Sequence, residues 1–180
     1  MDEVFDFKTG KSYDIAHLAS TVIPFYLLIA GQQVAVDLHV FYSNHCFTRS
    51  RIEGDSDKAV LFREPNKDGS VDERVFCPKR YAFSLQLPQI VASLNQAMCY
   101  RGGQSQIFYR LKSDPKAKQR LHGWYICGRL DANVKHQQLR MNIRSLHHRT
   151  NEPNDVRGQC RYFHILLPFY LAQKAKYAWI

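Results

Sequence analysis

Hydrophobic and polar residues alternate most strictly from Gln33 to Cys46. Val34, Val36, Leu38, Val40 and Tyr42 fall on one face at period two, which predicts a central strand. Asp37, His39, Phe41, Ser43 and His45 then share the opposite face, with Asp37 placed to orient His39. Before it, Tyr13, Ile15, Leu18, Val22 and Ile23 suggest a short helix or an irregular lead-in, interrupted at Pro24 and closed by Gly31. After it, Ala59–Phe62 reads as a short strand, and Pro65–Ser70, with its Asp-Gly pair, as a loop or hairpin tip.

Pro88 opens a predicted helix whose stripe is Ile90, Val91, Leu94, Ala97 and Met98, ended by Gly102-Gly103. Strand-like runs follow at Gln106–Leu111, Leu121–Leu130 and Leu139–Leu146, with a turn at Ser113-Asp114-Pro115. Residues 151–158 read as a loop. Cys160–Leu167 is a strand or the start of a helix, and Pro168 argues against one continuous helix. This order predicts a single α+β domain over residues 1–180: a mainly antiparallel twisted sheet of about five to six strands with one or two packed helices.

Charge changes this picture. The net charge is +9 over 180 residues, but residues 1–90 carry 10 Lys+Arg against 12 Asp+Glu, and residues 91–180 carry 15 against 4. A half this basic points to a polyanion: nucleic acid, RNA ahead of DNA, or an acidic protein partner. No apolar run is long enough to span a bilayer, so no membrane partner is expected. The acidic start and five scattered cysteines suggest reduced thiols and a cytoplasmic location. The sequence leaves oligomeric state open.

Candidate chemistry centres on Ser43-Asn44-His45-Cys46-Phe47-Thr48-Arg49, the densest run of reactive side chains. An imidazole titrates near neutrality, so His45 suits proton transfer. Arg80-Tyr81-x-x-Ser84 offers a guanidinium for phosphate, a ring for stacking on a base and a helix cap. In the Leu139–His147 strand, Arg140, Asn142 and Arg144 alternate with apolar positions and could track a phosphate backbone. Lys135, His136, His147, His148 and Arg149 flank them. A zinc site from His39, His45, Cys46 and Cys77 is disfavoured: adjacent strand residues point to opposite faces, and no Cys-x-x-Cys occurs. Neither metal nor cofactor is expected. Arg101-Gly102-Gly103-Gln104 lacks the spacing of a phosphate loop, and no Gly-x-Ser-x-Gly occurs.

Phe41–Thr48, then Arg80-Tyr81-x-x-Ser84-x-x-Leu87-Pro88, then a late Arg-Ser strand end, resemble a family of small bacterial proteins. These are found around prophages and mobile elements and are sometimes labelled stationary-phase growth adaptation proteins. The resemblance spans about residues 13–165 in the same order. Ser145-Leu146-His147 stands where that family suggests Ser-Ala-Tyr, so no role for the tyrosine carries over. The resemblance implies a mobile-element setting and no particular activity.

The leading expectation is a small metal-independent endoribonuclease-like or toxin-like protein. His45 acts as base or acid, Arg80 and Arg144 stabilise the phosphorane, and Ser84, Ser145 or Tyr81 position substrate. The alternative is a non-enzymatic nucleic-acid-binding or protein-inhibitor module acting through its basic half, by Lys112, Lys116, Lys118, Arg120, Arg140 and Arg144. Convergence of His45, Arg80 and Arg144 in one hollow separates the two.

Overall fold

The computed structural model describes residues 2–94, 98–101, 106–110, 123–133, 138–149, 159–161 and 163–177. The fold is α+β. In chain order the strands are β1 (Glu3–Asp6), β2 (Lys11–Asp14), β3 (Thr21–Ile29), β4 (Gln32–Tyr42), β5 (Thr48–Ser50), β6 (Val60–Pro65) and β7 (Val71–Phe76). Helices α1 (Pro78–Ser84) and α2 (Leu87–Ala92) follow. Then come β8 (Met98–Arg101), β9 (Gln106–Arg110), β10 (Gly123–Asn133), β11 (Gln138–Arg149), β12 (Gln159–Arg161) and α3 (Phe163–Tyr177).

Seven strands form the main sheet in the order β12-β8-β9-β10-β11-β4-β3. Every pairing in it is antiparallel except β11 with β4, where Leu139–Ile143 lies parallel to Leu38–Tyr42. A three-stranded sheet, β5-β7-β6, and the β1-β2 hairpin stand beside it.

The period-two pattern of β4 holds: Val36, Leu38 and Val40 are buried, whereas Ala35 and Asp37 are exposed. Ile23, Phe25 and Leu27 of β3, Ile126 and Leu130 of β10, and Leu139, Met141 and Ile143 of β11 extend that apolar face. Leu87 and Val91 of α2 and Leu166 and Tyr170 of α3 cover it. A smaller cluster of Val4, Ile15, Phe47 and Phe76 lies beneath the three-stranded sheet. No helix among the described residues is long and apolar enough to cross a membrane.

Three elements differ from expectation. The stretch around Pro24 is a strand, because β3 lies at the sheet edge, where a missing N–H is tolerated. The helix begun at Pro88 stops at Ala92: the Ser93 hydroxyl donates back to the Ile90 carbonyl (2.8 Å), and Met98 already belongs to a strand. Helix α3 runs through Pro168. Its buried Leu166 and Tyr170, four residues apart, offset the one hydrogen bond proline cannot donate. The proposed turns at 102–103 and 113–115 and the loop at 151–158 lie outside the described residues.

Candidate functional site

The β4 strand ends at Tyr42, and the chain turns at once. The Ser43 N–H donates to the Ile143 carbonyl of β11 (2.9 Å). Its hydroxyl accepts from the His45 N–H (3.1 Å), capping a single 3₁₀ turn over Asn44–Cys46. Cys46 points inward, fully buried, with its thiol 3.7 Å from the Ile143 carbonyl. His45 therefore leaves the strand register and does not share a face with His39. It sits half-buried on the outside of the turn.

Two guanidinium groups brace the turn from behind. Arg80 donates to the carbonyls of His45 and Thr48, both at 2.9 Å. Arg74, 4% exposed, donates to the Thr48 hydroxyl and carbonyl, the Ser50 hydroxyl and Asp72. Burial pulls the Arg80 guanidinium below its ordinary pKa. An arginine committed to two carbonyls in this way is structural.

The facing wall is the β6–β7 hairpin. Its register sets Glu64 directly opposite Asp72. Two carboxylates so paired repel unless a cation lies between them. His45 supplies a partner: its Nε2 lies 2.7 Å from a Glu64 carboxylate oxygen. The Asn44 amide donates to the other oxygen at 2.6 Å. Burial pushes the Glu64 carboxyl up, but the hydrogen bonds from His45 and Asn44 outweigh it and hold the group below its ordinary value. Asp72 is balanced the same way, burial against hydrogen bonds from Arg74 and Ser50, and is also lowered. One donor atom each from His45, Glu64 and Asp72 lie within 4.8 Å of one another.

A bulge closes the site. Cys127 of β10 pairs with Ser145 and Gly128 with Ile143, so Arg144 has no opposite residue. Simple alternation would send Ser145 inward beside Ile143. The extra residue instead leaves both Arg144 and Ser145 outside the core, and Leu146 returns to it. The resulting cleft has a volume of about 630 Å³, with Ser43, His45, Glu64, Lys67, Asp72, Arg144 and Ser145 among its lining residues.

The predicted residues divide accordingly. His45, Arg144 and Ser145 meet in the cleft. Arg80 does not line it. Ser84 is a correction: it is wholly buried in α1, donates to the Tyr81 carbonyl and contacts His17 Nε2 at 2.8 Å, so it neither caps α2 nor reaches substrate. Tyr81 is another: its ring packs among Tyr13, His17 and Phe76 and its hydroxyl donates to the Asp14 carbonyl, so it is a packing residue on α1 and does not line the cleft. The quartet His39, His45, Cys46 and Cys77 is not assembled. Cys46 is sealed in the core with its thiol pushed up to about 12, and Cys77 lines a different cavity. Arg140 lies on the outer sheet face. Lys112, Lys116, Lys118 and Arg120 lie outside the described residues, as do Lys135 and His136; of Arg149 only the backbone is described.

Glu64, Asp72 and Lys67 escaped sequence reasoning. The signal was the Asp68-Gly69 turn: folding the hairpin about it brings Glu64 and Asp72 face to face.

A model of the YjaZ family matches residues 4–170, and the chain belongs to that family. No curated protein and no solved structure matches it.

Proposed function

We propose that this YjaZ-family chain is a small nucleic-acid-directed hydrolase that cleaves RNA by general acid–base chemistry in the His45 cleft. One observation carries the reading: the 2.7 Å His45–Glu64 contact, in a cleft that Arg144 also lines. With Glu64 ionised, Nε2 carries the shared hydrogen and Nδ1 keeps its lone pair. Nδ1 takes the proton of a ribose 2′-hydroxyl as that oxygen bonds to phosphorus. The bond from phosphorus to the 5′ oxygen breaks, and water in the open cleft protonates the leaving oxygen. Glu64 and Asp72 balance the imidazolium. Arg144 and Lys67 face the charge that grows on the phosphoryl oxygens. Ser43 and Ser145 supply hydroxyls for positioning.

The test is cleavage of a labelled single-stranded RNA in EDTA. Wild-type protein is expected to cut, and His45→Ala to lose about 10²- to 10⁴-fold, the usual worth of a positioned acid–base group. Equal activity in both, or none in either with or without metal, overturns the reading in favour of a non-enzymatic binder.

A second reading rests on the three convergent donor atoms of His45, Glu64 and Asp72. One nitrogen and two carboxylates with open positions suit a catalytic divalent metal. Activity lost in EDTA and restored by Mn²⁺ or Zn²⁺ selects it.

A further inference from the structure

The outer face of the main sheet runs into the cleft. Along β11, Arg140 and Asn142 stand one regular two-residue step apart, about 6.6 Å, and Arg144 follows at the bulge. That step is of the order of the spacing between successive phosphates in an extended single strand. The parallel register sets Arg140 beside His39 and Asn142 beside Phe41. The Arg140 guanidinium lies over the Phe41 ring, 5.1 Å from its centroid. A cation held over a ring face is attracted by the ring's quadrupole. Its Nε is buried and finds no hydrogen-bond partner among the described residues. Native buried polar groups are rarely left so. Exposed Arg129 flanks Asn142 on β10. Among the described residues the acids on this face are Asp131, opposite Arg140, and Asp37 on β4, and neither pairs with an arginine.

We infer that the outer face of β10, β11 and β4 is a track for single-stranded RNA, with Arg140, Asn142 and Arg144 leading the backbone toward His45. The position of the scissile phosphate rests on the proposed hydrolysis; the binding itself does not. The narrow two-residue pitch suits one strand lying flat rather than a duplex, whose recognition spans two grooves.

The experiment separates the two readings. A labelled, fully 2′-O-methylated single-stranded oligonucleotide cannot be cut by the proposed route. Its binding is followed by fluorescence anisotropy between 50 and 200 mM salt. Wild type and His45→Ala are expected to bind alike. Arg140→Ala is expected to bind roughly fivefold more weakly at 150 mM, with the log–log salt slope reduced by about 0.7, one phosphate's share for a single strand. Arg129→Ala, a change at an exposed position, reduces the slope without touching the ring contact. Arg140→Lys retains the slope while losing part of the affinity. Unchanged affinity in both alanine variants overturns the proposal. So does equal competition by duplex RNA of the same length, or by polyglutamate, which would mark the face as a generic polyanion or acidic-protein surface.

Discussion

Each arginine near the cleft has a distinct task. Arg80 holds two carbonyls of the turn that carries His45, so it acts through that turn. Arg80→Ala leaves both carbonyls without their donors and is expected to cost about 2–3 kcal/mol, lowering Tm by several degrees in a thermal melt. A split between kcat and KM tests its positioning role: kcat is expected to fall with KM nearly unchanged. Arg74 is more deeply committed, and Arg74→Met, which strands the half-buried Asp72, is expected to cost about 3–5 kcal/mol in chemical denaturation. His17 titrates on the far side of α1. Burial pulls its pKa below the ordinary histidine value, partly offset by Asp14. The unfolded chain then binds the proton more tightly, so His17 favours the fold above about pH 6.5 and that contribution fades as pH falls through the lower folded value. His17→Gln is expected to flatten this acid limb in melts recorded from pH 7.5 to 5. Sequence reading singled out His45 and Arg144, which line the cleft, because their chemistry is intrinsic to the side chain. It misplaced Ser84 and Tyr81, whose roles depend on neighbours 67 residues away.

Among elements, legibility followed the local pattern. β4 was plain because its buried face is continuous and its period is two. β3 was hidden by Pro24, which reads as a breaker unless the strand is known to lie at an edge. Helix α1 was overlooked although Pro78 occupies its first turn, since seven residues give little periodicity. The β11 bulge was unreadable: nothing in Ile143-Arg144-Ser145-Leu146 announces an extra residue, which shows only in the register against Cys127 and Gly128 of β10. The β3–β4 hairpin turns through Ala30 and Gly31, both at positive φ (50° and 81°). An alanine held there costs about 1 kcal/mol. Ala30→Asn is therefore expected to raise Tm by about 2 °C, with RNA cleavage unaltered, because the turn lies at the far end of β4 from His45.

At the scale of the whole molecule, the cleft joins two chemically unlike halves. The acidic half contributes His45, Glu64 and Asp72; the basic half contributes Arg144 and Ser145. Composition foretold the asymmetry but not the seam. That seam is β4 against β11, parallel where every other described pairing of the main sheet is antiparallel, and it joins residues about 100 positions apart, as between Leu38 and Leu139. Contacts so distant in the chain form late, because a long loop must close before they are rewarded. A ribosome emitting this polypeptide from its N-terminus therefore delivers the imidazole and its carboxylates well before Arg144 and Ser145, which line the other side of the cleft. The cleft is therefore complete only once synthesis has passed β11, a delay written into the sheet order itself.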